Sequence, residues 1–164
     1  MSAKSSNELV LYTHPMSRGR TARWMLEEIG QPYQTKLLEY DTTIKSPEYL
    51  AINPMGQVPA LRHGQTIITE TAAICAYLAD TFPAARLAPQ LNDPKRGTYY
   101  RWLFFIASSF DAAFTNKYLG FVVPKDKEAM VGYGNFNDVL NTLEQAVSHG
   151  DYLLGEHFSA ADVY

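Results

Sequence analysis

Cysteine is nearly absent from this chain. Cys75 is the only one in 164 residues, so no disulfide framework can form within one copy, and a reducing compartment is implied. Long apolar runs are missing too. No stretch reaches the roughly 20 residues that span a bilayer, and Met1 to Glu8 is polar, without the apolar core of a signal peptide. Nor is there an excess of basic charge: the formal net charge is −3, which excludes a broad cationic surface and argues against nucleic acid as a partner. The four histidines, His14, His63, His149 and His157, are dispersed. They lack the cysteine or carboxylate spacing of a closed metal site, and no metal is expected. A soluble, cytoplasmic protein with no membrane partner is the expectation.

What is present has the balance of a globular protein, with 46% hydrophobic and 19% charged residues, and length enough for one ordinary domain or two small ones. Glu8-Leu9-Val10-Leu11-Tyr12 is a short apolar run that reads as a first strand. His14-Pro15-Met16-Ser17 then turns the chain. From Arg18 to Ile29, Ala22, Met25, Leu26 and Ile29 recur at helical spacing, and Gly30 is the stop. Ser17 is by itself a preferred N-cap for that helix. Arg18 and Arg20 occupy its first turn, where the helix dipole favours acids; either an anion binds there or both are solvated surface side chains. Tyr33 to Leu38 reads as a second strand, parallel to the first because a helix joins them. Ser46-Pro47 opens a short helix, with serine as cap and proline as first residue.

The chain is organised around Asn53-Pro54-Met55-Gly56-Gln57-Val58-Pro59-Ala60-Leu61 and, a hairpin later, Thr69-Glu70-Thr71-Ala72-Ala73-Ile74. Pro54 and Gly56 are turn residues that end the preceding helix. Pro59 heads an apolar run, a position where a strand can give up a ladder donor. In a cis Val58–Pro59 bond the Val58 amide and carbonyl turn outward, free to pair with an extended ligand; the residues alone leave the isomer open. Gly64-Gln65 supplies a tight turn, and Thr66-Ile67-Ile68-Thr69 is β-branched as a strand should be. Glu70 and Thr71 then open a helix with Ile74, Tyr77 and Leu78 at helical spacing. Two readings fit this pair. It is a plain helix start, or its amides and hydroxyl hold a carboxylate while Glu70 holds an ammonium group, as an amino acid head group requires.

Together, Asn-Pro-Met-Gly-Gln-Val-Pro-Ala-Leu and Glu-Thr-Ala-Ala-Ile, in this order and separation, resemble the glutathione-binding core of glutathione S-transferases, close to bacterial members and the plant phi class. The resemblance implies a thioredoxin-like α/β domain followed by an all-helical domain, with glutathione as co-substrate. It implies that Gln57, Val58 and Pro59 hold glutathione, with Val58 pairing to the cysteinyl backbone. Glu70 and Thr71 would hold the γ-glutamyl end, and Lys45 would reach the glycine carboxylate. His-Pro-Met-Ser resembles the phi-like pattern in which this serine, Ser17 here, donates a hydrogen bond to the glutathione sulfur. A free thiol with a pKa of about 8.5 is only a few per cent thiolate at neutral pH, and lowering it by about two units is worth roughly 2.7 kcal/mol. Tyr12 is the alternative hydroxyl, as in tyrosine-type classes, but it belongs to the strand. No cysteine occupies this loop, which argues against the omega, beta and glutaredoxin-like members. Where the phi-like pattern has a second hydroxyl three residues after the serine, this chain has Arg20. Cys75 is expected to be inert core.

Pro83, Pro89 and Pro94 mark a linker, giving an expected organisation of residues 1–83, linker 84–93, and a helical domain 94–164. One long aromatic-rich helix is expected over Pro94 to Phe114, and a second over Lys125 to Val147, weakened by Gly132 and Gly134. The aromatic stripe is read as core, dimer contact and, on its inner side, a pocket for a small apolar electrophile. Phe158-Ser159-Ala160-Ala161-Asp162 resembles the capping box that opens the central helix of the family's second domain. That domain is therefore expected to be incomplete here, with an exposed apolar face. The implied function is conjugation of glutathione thiolate to small apolar electrophiles in a detoxifying, homodimeric enzyme. The alternatives are a glutathione-dependent isomerase, dehalogenase or peroxidase, or a glutathione-binding module without chemistry.

Overall fold

The structure, a computed structural model, describes residues 7–164; residues 1–6, whose polarity argued against a signal peptide, lie outside the described residues. The chain forms two compact units, one running to Arg86 and the other from Leu87 to Asp162.

The first unit is built on strand β1 (Leu9–Thr13), buried along all five residues. It is buried on both faces, which is why it reads as a continuous apolar run rather than an alternation. Val10 and Tyr12 pack with Ile44, Tyr49 and Ala60, and period-two geometry sends Leu9 and Leu11 to the opposite face. Helix α1 (Gly19–Ile29) buries Ala22, Met25, Leu26 and Ile29, and Gly30 ends it at φ +65, donating to the Glu27 carbonyl. The chain returns as β2 (Tyr33–Leu37), parallel to β1. After the short helix α2 (Pro47–Leu50), capped by the Ser46 side chain, β3 (Ala60–His63) runs antiparallel to β1, with Leu61 opposite Leu11. Gly64, at φ +58, turns the chain into β4 (Thr66–Thr69). The sheet order is β2-β1-β3-β4. Helix α3 (Thr71–Thr81) packs beside α1 and buries Ile74, Cys75 and Leu78. This is the thioredoxin-like arrangement that the resemblance implied.

The second unit is helical. Helix α4 (Lys95–Phe105) passes through a π-helical stretch, Ile106–Phe110, into α5 (Asp111–Tyr118), so the helical run extends beyond the expected Phe114 and carries a widened turn. The Ser108 hydroxyl donates to the Phe104 carbonyl at 2.7 Å, a back-bond of the kind that bends helices. The expected helix over Lys125 to Val147 is broken outright. A 3₁₀ segment (Lys125–Met130) is followed by Gly134 at φ +65, and α6 (Phe136–Val147) starts afresh with Asn135 accepting from the Asp138 amide. Helix α7 (Ala160–Val163) opens with the expected capping box. Asp162 accepts from the Ser159 amide at 2.8 Å with one oxygen and from the Leu153 amide at 2.7 Å with the other. The aromatic stripe divides: Tyr99 and Trp102 are buried, while Phe104, Phe114, Tyr118 and Phe121 are exposed. Among the described residues no helix is long and apolar enough to cross a membrane.

Candidate active site

The end of β1 and the start of α1 meet in a tight turn that fixes Ser17. Its amide donates to the His14 carbonyl at 3.0 Å, and its hydroxyl donates to the same carbonyl at 2.6 Å. The hydroxyl oxygen in turn accepts from the Gly19 amide at 3.0 Å. Ser17 therefore caps the helix start, as its residue type alone predicts, and its proton is committed to a backbone carbonyl. Gly19 is required by close approach. A Cβ there would stand 1.8 Å from Thr13 Oγ1 and 2.9 Å from Ser17 Oγ. Tyr12, the alternative hydroxyl, is buried in β1, its ring tilted against Tyr49 with centroids 5.7 Å apart.

The loop from Asn53 to Pro59 is held by Asn53 and Tyr49, to which the sequence reading gave no role, and by Lys45. Buried Asn53 donates to the Gln57 carbonyl at 2.7 Å and accepts from the Met55 amide at 3.1 Å. The Tyr49 hydroxyl donates to that same Gln57 carbonyl at 2.6 Å, and burial pushes its pKa up to about 12. Lys45 Nζ donates to the Met55 and Gly56 carbonyls, both at 2.9 Å. An ammonium group has three donors, so one remains. Gly56 lies at φ +55, and a Cβ on it would meet the Ile44 carbonyl and Lys45 Nζ, each at 2.9 Å. The Val58–Pro59 bond is cis. Neither the amide nor the carbonyl of Val58 is paired with another described residue.

At the start of α3, Glu70 adopts φ +66 and makes no capping bond with its side chain. A non-glycine residue held there costs of order 1–3 kcal/mol, strain that concentrates at ligand-binding positions. The plain-cap reading of Glu70 is thus not what its side chain does. Thr71, buried, is the first residue of the helix.

Ser17, Lys45, Gln57, Val58, Pro59, Glu70 and Thr71, drawn from four segments, all line one cavity of about 720 Å³. Arg18 lines it too, whereas Arg20 does not. Cations (Arg18, Lys45) and carboxylates (Asp41, Glu70) share its wall, and the volume falls in the range of pockets that take whole small-molecule ligands, about 300–1,000 Å³. Such a wall suits a ligand carrying both charges. Cys75 is outside it, fully buried, with burial pushing its thiol up to about 12. Among the described residues there is no group of three or more potential metal ligands.

Comparison with known proteins bears on what occupies such a cavity. Residues 11–86 match the family model of the glutathione S-transferase N-terminal domain. A solved glutathione transferase homolog from Sulfitobacter, with bound glutathione, is 33% identical with a TM-score of 0.76, over 96% of this chain and 78% of that one. The chain belongs to the glutathione S-transferase family. Among its relatives, glutathione S-transferase GstA of Escherichia coli O157:H7 is 32% identical over 118 residues, 71% of this chain and 58% of that protein. Glutathione S-transferase GST-4.5 of Xanthomonas campestris is 28% identical over 160 residues, 94% of this chain and 78% of that protein. The chain thus spans 58% and 78% of the lengths of these two relatives. The matched region contains every one of the seven cavity residues predicted from sequence.

Asn53 and Tyr49 are what the sequence reading missed. Asn53 stood inside the motif itself, and an asparagine two residues before a loop amide is the usual signal of a side chain closing a turn on its own backbone. Tyr49 gave no such signal, because its bond to Gln57 depends on the packing of α2.

Proposed function

We propose that this protein binds glutathione in the cavity beside α1 and transfers it, as thiolate, to small apolar electrophiles. The observation that carries this reading is the convergence of the seven residues on one cavity of mixed charge, in a chain of this family. The Val58 backbone pairs with the cysteinyl unit, and Glu70 with Thr71 takes the ammonium and carboxylate of the γ-glutamyl end. Gln57 and the remaining donor of Lys45 take the glycine carboxylate. Ser17 leaves the His14 carbonyl and donates to the sulfur. Magnitudes favour that exchange: a neutral hydrogen bond contributes about 1 kcal/mol net and one to a charged group about 1.5–3 kcal/mol, and the His14 carbonyl keeps the Ser17 amide. The sulfur then forms a C–S bond while the leaving group departs with its electron pair; the thiol proton has gone to solvent on ionisation.

In this reading residues 1–83 form the glutathione domain and 94–164 a helical domain joined by 84–93, in a cytoplasmic homodimer with a detoxifying role. One observation favours a second reading. The Ser17 proton is already satisfied by the His14 carbonyl, as it would be in a module that binds glutathione without activating it. Incubating the protein with glutathione and a nitro-activated aryl chloride distinguishes the two. Thioether formation above the uncatalysed rate is expected, and tight binding with no product from a panel of electrophiles would establish the module instead.

A further inference from the structure

We propose that His14 is a positioning residue: its imidazole locks the turn that aims the Ser17 hydroxyl and ties that turn to the neighbouring loop that carries Lys45. The proposal rests on the glutathione reading above. Any residue at position 14 would offer the backbone carbonyl that receives Ser17, but the side chain does something particular. Its Nδ1 accepts from the Met16 amide at 3.1 Å, closing the turn on itself. That bond requires an unprotonated Nδ1 and so places the ring hydrogen on Nε2. Nε2 faces the Glu39 carboxylate at 3.8 Å, and the ring packs on Tyr40 with centroids 4.4 Å apart. The imidazole is mostly covered, at 17% side-chain exposure, while Glu39 is 71% exposed. The ring, not the carboxylate, is therefore the fixed member of the pair.

The segment that His14 grips also lines the cavity. Glu39 starts a loop closed by its amide donating to Thr43 Oγ1 at 2.8 Å and its carbonyl accepting from the Ile44 amide at 3.1 Å. Tyr40, Asp41, Ile44 and Lys45 from this loop line the cavity, as do Met16 and Ser17 from the serine turn. One side chain thus bridges the serine turn and the loop that carries Lys45. Without it, the turn keeps its backbone bonds but loses the bond to the Met16 amide and the ring contact that fixes its distance from Tyr40.

Two substitutions separate these contributions. His14→Phe keeps a ring on Tyr40 and removes the acceptor. His14→Asn removes the ring, yet its Oδ1 can accept from the amide two residues on. Three quantities are measured: the thiolate absorbance of bound glutathione, its Kd, and hydrogen exchange of the Met16 and Gly19 amides without ligand. For His14→Phe the thiolate fraction at neutral pH should fall about threefold, with Kd changed by less than about threefold, and Met16 should exchange about fivefold faster. His14→Asn should restore Met16 exchange and Kd to within about twofold of the parent and the thiolate fraction only in part, because it keeps the acceptor and loses the ring on Tyr40. A merely structural role would lower stability without this rescue. Wild-type thiolate and exchange in His14→Phe, or equal losses in both variants, would overturn the proposal. If Ser17→Ala leaves the bound thiol unchanged, the activation reading fails on its own. Exchange at Met16 and Gly19 then decides for His14: faster in the phenylalanine variant and restored in the asparagine variant upholds the locked turn, and no change overturns it. Should His14→Phe not fold, His14→Leu takes its place against His14→Asn.

Discussion

Replacing Gly19 by alanine sets two known magnitudes against each other. Alanine is the better helix former by about 1 kcal/mol, so a helix-only argument predicts stabilisation. The structure predicts the reverse, because the added Cβ would lie 1.8 Å from Thr13 Oγ1 and 2.9 Å from both Thr13 Cβ and Ser17 Oγ. Thr13 is buried, at 6% exposure, and cannot simply swing into solvent. Overpacking of this kind costs about 1–3 kcal/mol; a 1.8 Å approach to a buried side chain belongs in the upper part of that range, about 2–3 kcal/mol, so the clash should win by about 1–2 kcal/mol. That corresponds to roughly 2–8 °C in Tm for a chain of this size. Urea unfolding followed by circular dichroism reads the change. Gly97→Ala is the matched comparison: Gly97 lies in α4 with nothing within 4 Å of its added Cβ, and there propensity should prevail, raising stability by up to about 1 kcal/mol. Thr13→Ala combined with Gly19→Ala should recover part of the loss, since the hydroxyl contact is relieved and the Cβ contact is not. A Gly19→Ala protein as stable as the parent would refute the packing argument and, with it, the claim that the turn fixes Ser17 by close contact.

Asn53→Ala should lower stability by about 1–2 kcal/mol and weaken glutathione binding about tenfold, because two hydrogen bonds that shape the binding loop are lost; calorimetry reads both. Tyr49→Phe alone should cost less. The double variant should cost more than the sum, since both side chains serve the Gln57 carbonyl. Cys75 makes stability fall on the alkaline side. Its thiol, ordinarily at 9.0, is pushed up to about 12 in the fold by burial, so its contribution is full below pH 9 and is lost progressively as pH rises toward 12. At about pH 10.5 the loss is about 2 kcal/mol, and Cys75→Ala should unfold with a flatter alkaline limb; an unchanged limb would sink this assignment.

The local devices were legible in the sequence because each needs only neighbours in the chain. The Gly30 stop, the Ser46 cap, the turn at Gly64 and the Ser159–Asp162 capping box all stand where their residue types put them. Five of the seven cavity residues were legible through the two central motifs, Ser17 through His-Pro-Met-Ser, and Lys45 only through the family resemblance. What stayed hidden depends on partners brought together by the fold. Gly19 gives no hint of its contact with Thr13, and Tyr49 none of its hold on Gln57. The positive φ of Glu70 contradicts the preference of its residue type. The break before α6 goes beyond the weakening that Gly132 and Gly134 imply, because Gly134 turns the chain at φ +65 and Asn135 caps a new helix.

The most direct measurement is the ultraviolet thiolate titration of glutathione bound to this protein and to Ser17→Ala. The bound thiol should ionise about two pH units below the free value of about 8.5, and the variant should lose most of that shift while still binding. Glutathione held by both proteins with an ordinary thiol pKa would contradict activation by Ser17, leaving this serine as the cap of α1 and the cavity as a binding site without chemistry.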